Sequence, residues 1–317
     1  MKLGDPTILK NCIKKTFGGK LYELLSLSKH ILTDSLIAIK NFFTQAEKRW
    51  LVLGLAKDIL CSKENLGFFG WHMYAPVSPP WTGDGKIFQQ FNQVNNHLLE
   101  LIKAKKLKLM RFWPPYSLEF RINTFKWRHY NVFWSVKYAI QMNESSAKNF
   151  VEFGVGDGNA AYYAMQSLTL EKVNDPKFYL YDSWGPMQGR FLLNDEKKKG
   201  LEGRYDFLCI NDTKANLKEF ENITVFNQGY LPESIPFSEN PDDISWMHID
   251  INSAIPTREI LEFFYDKLSK RGVILFDDYA WKMHKSTRKT VDDFFSNKKG
   301  LLFPLPTGQA IYFNSGC

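Results

Sequence analysis

Phe150-Val151-Glu152-Phe153-Gly154-Val155-Gly156-Asp157-Gly158-Asn159-Ala160-Ala161 is the stretch that decides the fold of this chain. A short apolar run carries one acidic residue, Glu152, and three glycines follow at alternate positions. Glycine adopts backbone angles that other residues resist, and it lets a ligand approach the main chain closely. Ala160 and Ala161 then open a helical stretch. A strand that passes through a glycine turn into a helix builds the ligand crevice of an open α/β sheet. The spacing is G-x-G-x-G, without the third glycine of the dinucleotide pattern G-x-G-x-x-G. On these residues alone, another Rossmann-type ligand or a purely structural turn stays open.

Downstream, strand and helix patterns alternate. Candidate strands cover 149–154, 177–182, 222–227, 245–250, 272–277, 301–304 and 309–313, and candidate helices cover 158–168, 206–220, 256–269 and 285–298. Such alternation predicts a parallel sheet with helices on both faces. The last two strands flank Pro306-Thr307-Gly308-Gln309, a tight turn, so they should pair as an antiparallel hairpin. Upstream the apolar spacing is helical over 1–66, over 87–110 and over Trp127–Ile140. Lys103, Lys105, Lys106 and Lys108 suit a helix C-terminus. Residues 67–86 and Pro114-Pro115 read as breaks. We therefore expect a mainly helical N-terminal region over 1–125, for lid, substrate or subunit contacts, and an α/β domain over 126–317.

With 317 residues, 44% hydrophobic and 24% charged, the chain has the composition of a folded globular protein. A net charge of +7 favours anionic partners, such as nucleic acid, a phosphate-bearing small molecule or an acidic membrane surface. A solvated basic face would give the same count. Cys12, Cys61, Cys209 and Cys317 lie far apart, so neither a zinc site nor a disulfide framework is expected, and a reducing compartment fits best. No apolar run approaches the roughly 18 residues of a membrane span. The expected location is cytoplasmic, with peripheral membrane contact left open through the basic N-terminal part. The N-terminal helices could bury apolar faces in a homo-oligomer.

Ligands of open α/β sheets bind at the carboxyl ends of the strands, and polar residues cap each candidate strand here. Asp182-Ser183 can hold ribose hydroxyls, and Gln228-Gly229-Tyr230 suits an adenine edge and face. His248-Ile249-Asp250 and Asp277-Asp278 end the next two strands. Three converging carboxylates repel one another unless a cation lies between them. Such oxygen ligands suit Mg²⁺ or Mn²⁺. Helix capping by Asp277 or Asp278 is the plainer alternative.

Glu152 together with Asp157-Gly158 resembles motif I of the class I S-adenosylmethionine (SAM) methyltransferases. Val151–Val155, Gly229-Tyr230-Leu231-Pro232-Glu233-Ser234-Ile235-Pro236, His248-Ile249-Asp250 and Gly272–Tyr279 further resemble the macrocin O-methyltransferase family, over roughly residues 125–313. The resemblance implies a Rossmann-like fold, with a mostly parallel seven-stranded sheet and an antiparallel C-terminal hairpin. It implies SAM at Glu152, Gly154, Gly156, Gly158, Asp182, Ser183, Gln228 and Gly229. It also implies Mg²⁺ (or Mn²⁺) on Asp250, Asp277 and Asp278, and methyl transfer to a hydroxyl of a sugar, nucleotide sugar or glycan.

One position departs from the family. Members commonly carry an Asp two residues after the first metal ligand, proposed as the general base, and this chain has Asn252. An amide cannot take the proton. Either a bound metal alone lowers the hydroxyl pKa far enough, or another group serves, with His248, His284 and His129 as the side chains the sequence offers. Two rival readings are weaker. Ser78-Pro79-Pro80-Trp81 fits the pattern of amino-group methyltransferases acting on DNA, but residues 67–77 make a poor buried strand and the three aspartates would be left unexplained, so a nucleic-acid partner is not expected. A non-catalytic SAM-fold module would not need every SAM and metal position.

Overall fold

The computed structural model describes residues 85–105, 107–111, 118–143 and 148–315. The helices expected over 1–66 and the Ser78-Pro79-Pro80-Trp81 motif lie outside the described residues. Helices α1 (Lys86–Lys105) and α2 (Leu118–Asn143) lead into β1 (Asn149–Phe153). Then follow α3 (Asn159–Glu171), β2 (Lys177–Asp182), α4 (Asn194–Lys198), α5 (Ile210–Asn216), β3 (Thr224–Gln228) and β4 (Ile244–Ile249). The chain continues through α6 (Ala254–Phe264), β5 (Leu268–Phe276), α7 (Lys285–Phe295), β6 (Gly300–Pro304) and β7 (Ala310–Asn314).

The seven strands form one sheet in the order β3-β2-β1-β4-β5-β7-β6. The first five pair in parallel, and β7 runs antiparallel to both β5 and β6. The expected seven-stranded sheet and C-terminal hairpin are therefore present. Strand order reverses between β1 and β4, and a crevice opens at such a switch point. Side chains alternate across the sheet with period two. Phe150, Phe178, Trp246 and Leu275 face the core built with α1, α2 and α3. Val151, Phe153, Met247 and Ile274 face the core that contains Phe264 and Val291 of α6 and α7. Both faces are covered, which is why the strand bodies read as continuous apolar runs.

Several boundaries differ from the sequence expectation, among them the helix expected over Trp127–Ile140, which runs over Leu118–Asn143. The helix expected over 87–110 ends at Lys105, and Met110 has a φ of 56°. Side chains of other elements take up the backbone here: Lys108 N–H donates to Asn216 Oδ1 and Met110 N–H to Asn159 Oδ1, each at 2.9 Å. The helix expected over 206–220 shrinks to α5 and a 3₁₀ turn at Lys218–Phe220, because Gly203 and Tyr205 take left-handed backbone angles before it. The helix expected over 256–269 stops at Phe264, and β5 starts at Leu268 rather than at 272. No helix among the described residues is long and apolar enough to cross a membrane.

Gly154 sets how closely the glycine turn meets the sheet. Its φ is 83°, and a Cβ there would lie 1.9 Å from the backbone oxygen of Asp250 at the end of β4. Gly308, in the β6–β7 turn, has a similar φ of 84° with no atom near its missing Cβ. The two glycines therefore separate overlap from backbone angle. Gly154→Ala should cost about 4 kcal/mol or more, or prevent folding. Gly308→Ala should cost about 1–2 kcal/mol, the left-handed penalty alone. Urea unfolding of both variants checks this, and equal losses would contradict it.

Candidate active site

The glycine turn is braced by the end of β2. Asp182 is buried, and its two carboxylate oxygens accept from Gly156 N–H and Trp184 N–H, each at 2.7 Å. Trp184 Nε1 donates to the Gly156 carbonyl at 3.1 Å, and the Thr213 hydroxyl donates to the same carbonyl at 2.7 Å. Burial pushes the Asp182 carboxyl up, and the surrounding backbone N–H groups oppose this. Ser183 turns locally, its hydroxyl donating to the Gly185 carbonyl at 3.2 Å. Gly229 N–H donates to the Asp182 carbonyl at 2.9 Å and joins the ends of β2 and β3, while Gln228 is exposed there.

Glu152 lies beneath the turn, fully buried. Its Oε1 is 3.2 Å from His248 Nδ1, and its Oε2 has no partner. An unpaired buried carboxylate oxygen is costly, and it fits a cationic group of a bound ligand. With Gly154, Gly156 and Gly158 at positive φ, the crevice suits the amino-acid end of SAM. Outside the turn, Arg111 closes on Asp157 with paired bonds and reaches Asp212 at 3.1 Å. Trp184, Thr213 and Arg111 were not singled out in the sequence, because an isolated Trp, Thr or Arg carries no local signal.

Asp250, Asp277 and Asp278 converge, with one oxygen of each within 4.8 Å of the others. Asp250 follows β4, and the Asp277-Asp278 pair follows β5, so parallel pairing of these strands brings the carboxylates together. Neither Asp277 nor Asp278 caps a helix: α7 begins at Lys285 with no side-chain cap. Two like charges 4 Å apart repel by about 4 kcal/mol at an effective protein dielectric of about 20, so the cluster needs cations. One is supplied by α2. Arg128, 2% exposed, bonds the Asp277 carboxylate, the Asp277 carbonyl at 2.8 Å and Asp278 Oδ1 at 3.1 Å. Gln309 Nε2 donates to Asp277 Oδ1 at 2.7 Å.

The three aspartates differ in consequence. Burial would raise Asp277, but Arg128 and His248 outweigh it and hold the carboxyl below its usual range. Burial pushes Asp278 up, against Arg128. Asp250 is pushed well above its usual value by burial and by both neighbouring carboxylates. Its one protein donor among the described residues is Asn252 Nδ2, at 3.4 Å. Asp250, Asn252 and Asp278 also line one small cavity, backed by Thr257, Tyr279 and Thr287. Oxygen donors with uncompensated negative charge at a cavity fit a divalent cation such as Mg²⁺.

The histidines take different places. Despite burial, His248 is pushed up to about 10 by Asp277 and Glu152, so it sits as a cation between them, its Nε2 3.7 Å from Asp277 Oδ1. His284 is buried with Nε2 3.7 Å from Asp278 Oδ2, and burial lowers its pKa. His129 stacks on Tyr163 with centroids 4.5 Å apart. Asn252 bonds the Tyr205 hydroxyl at 3.3 Å, a residue the sequence reading did not single out.

His129 also yields a pH prediction. Burial lowers its pKa to about 3 in the folded protein. In the unfolded chain it binds a proton near pH 6.5. The unfolded state therefore holds more protons between these values, and stability falls as pH drops from about 6.5 towards 3. Urea unfolding at pH 7 and pH 5 should show this loss. His129→Phe, which keeps the ring stack, should flatten the difference.

Comparison with known proteins shows the fold and the family. Among solved structures, the O-methyltransferase NovP superposes with a TM-score of 0.59 at 17% identity, covering 73% of this chain and 100% of its own. The calicheamicin methyltransferase CalS11 gives 0.47 at 14% identity, covering 76% and 99%. At 17% identity the likeness to NovP is one of fold. No curated protein gives a significant match. The macrocin-O-methyltransferase (TylF) profile matches residues 135–311, which spans β1 to β7 with the glycine turn and all three aspartates. The chain belongs to the macrocin-O-methyltransferase family and is a SAM-dependent O-methyltransferase.

Proposed function

We propose that this methyltransferase acts on a hydroxyl of a sugar, nucleotide sugar or glycan, with a divalent metal at Asp250, Asp277 and Asp278. The observation that carries the reading is the convergence of these carboxylates beside the glycine crevice. NovP, of the same fold, is an O-methyltransferase, and the family takes its name from macrocin. When bound, SAM supplies the methyl group and the metal supplies Lewis acidity at the acceptor oxygen.

The protein's own work is positioning and charge. Glu152 and the turn of Gly154, Gly156 and Gly158 hold the amino-acid end of the cofactor, and Asp182 keeps that turn in shape while reaching the ribose. Arg128, His248 and Gln309 fix Asp277. Asp250 and Asp278 supply carboxylate oxygens that would hold the metal. Alignment of donor and acceptor supplies a large share of the rate. Asn252 offers hydrogen bonds but no proton acceptor, so the acceptor proton leaves by another route. We assign that step to His284, which is buried with its Nε2 3.7 Å from Asp278 Oδ2.

Incubation with labelled SAM and a panel of nucleotide sugars and glycans tests the reading. Transfer should require Mg²⁺ or Mn²⁺ and stop with a chelator. Asp250→Ala should abolish transfer while largely sparing SAM binding. Full transfer in chelator would overturn the proposed metal chemistry.

Asp182 has its own test. Asp182→Ala removes an acceptor of two backbone N–H bonds, and charge-assisted bonds contribute roughly 1.5–3 kcal/mol. Calorimetry should show SAM affinity reduced by about tenfold to a hundredfold. An unchanged affinity in the folded variant would remove Asp182 from the cofactor site.

A further inference from the structure

Glu196, on the short helix α4, is fully buried. Its Oε2 accepts from Leu193 N–H at 2.8 Å and from the Ser253 hydroxyl at 3.1 Å. Its Oε1 accepts from Ala254 N–H at 2.9 Å and from the Ser286 hydroxyl at 3.3 Å. All four donors are neutral. Burying a carboxylate is expensive, and neutral donors offset only part of the cost. A helix as short as α4 also has little stability of its own. Both features are explained by where the four bonds lead.

Capping of α4 accounts for the Leu193 bond alone. The other three reach the starts of α6 and α7. A serine before a helix ordinarily caps that helix. Ser253 does not cap α6, because its hydroxyl is shared between the Phe191 carbonyl at 2.7 Å and Glu196. Glu196 takes over that role from a distance, its charge facing the positive end of α6. On the other side, the Ser286 hydroxyl is shared between Glu196 and Asp195 Oδ2 at 3.0 Å, and Lys199 Nζ donates to the Met283 carbonyl at 2.7 Å. Helix α4 therefore spans the starts of α6 and α7.

Those two starts are continuous with the metal-type aspartates. Asp250, Ile251, Asn252 and Ser253 make up the whole connection from β4 to α6. From Asp278 the chain runs to α7 in successive turns, with Trp281 N–H donating to the Asp278 carbonyl at 3.2 Å and His284 N–H to the Trp281 carbonyl at 2.9 Å. Each connection is thus short or stiff, and α4 fixes where both of them end. Mg²⁺ demands a near-ideal octahedron with short bonds, whereas Ca²⁺ accepts longer bonds in a flexible shell. The spacing of the oxygens therefore bears on which cation is held.

We propose that Glu196 is a positioning residue: through it, α4 braces the spacing of Asp250 and Asp278 and tunes the site towards a small divalent cation and away from Ca²⁺. This rests on the metal reading above. Glu196 is not itself a ligand, because both of its oxygens are taken up by the four donors.

The test uses the full-length protein saturated with S-adenosylhomocysteine. Mn²⁺ binding is followed by the electron paramagnetic resonance of the free ion, and Mg²⁺ and Ca²⁺ are measured by competition. Glu196→Gln keeps the shape of the side chain but removes its charge and turns a donor towards other donors. It should lower the ratio of Mg²⁺ to Ca²⁺ affinity by about tenfold, the worth of about one charge-assisted hydrogen bond. Affinity for S-adenosylhomocysteine should stay within about twofold. Leu168→Ala, a core truncation on α3, should lower stability and leave the ratio unchanged, since it lies outside the brace. An unchanged ratio in folded Glu196→Gln overturns the brace, as does an equal loss for both cations. A ratio that falls as far in Leu168→Ala overturns it too. If Glu196→Gln does not fold, Lys199→Met decides: it loosens the other end of α4 and should lower the ratio, and an unchanged ratio there overturns the brace. Wild type that binds S-adenosylhomocysteine but none of the three cations overturns the metal reading, and the brace with it.

Discussion

Compensation of three neighbouring carboxylates is the constraint on which this structure depends. Asp250, Asp277 and Asp278 cannot share a buried edge of the sheet without positive charge nearby. Arg128 supplies part of it from α2, and His248 supplies more from within β4. This charge balance also ties parts of the chain together. The Arg128 guanidinium bonds the carbonyl of Asp277 and lies 3.5 Å from the carbonyl of Thr307, so α2, the end of β5 and the C-terminal hairpin meet at one side chain. Gln309 and Asn131 extend the network, since Asn131 Nδ2 donates to Gln309 Oε1 at 2.8 Å. A buried hydrogen-bonded network of this kind rigidifies its surroundings.

The same network reaches the crevice at the glycine turn. Glu152 on β1 and His248 on β4 are register partners across the parallel ladder, so their side chains share one face. Glu152, His248 and Asp277 form a row beneath the ends of three adjacent strands. One end of the row leaves a carboxylate oxygen for a cationic ligand group, and the other end supports the metal-type cluster. Two sites of opposite demand thus sit on one row of buried charged side chains. Parallel strands make this arrangement natural, because all of their carboxyl ends open on the same edge.

The loop between β2 and α5 has a separate foundation. Glu196 is buried and accepts from Leu193 N–H, Ala254 N–H and the Ser253 hydroxyl, at 2.8 Å, 2.9 Å and 3.1 Å. It therefore fastens α4 to the start of α6 and fixes Asn252 beside Asp250. Tyr205 is clamped from the other side through Met187. The strained backbone at both residues persists because these bonds over-determine it.

The sequence by itself determined the sheet, the glycine turn and the three aspartates. Each rests on a local signal: strand period, glycine spacing, or polar residues that end an apolar strand. The antiparallel hairpin followed from the turn at Pro306–Gln309, whereas the order of the strands came from the tertiary structure. What the tertiary structure alone decided is how these groups are held. Arg128 meets Asp278 across 150 residues of chain, and Asn252 meets Tyr205 across 47. No pattern in a sequence marks such a pair, because its members become neighbours only when helices and loops pack on the finished sheet. The shortened helix at Lys105 has the same cause: asparagine side chains from distant segments won the backbone bonds that local propensity would have placed within the helix.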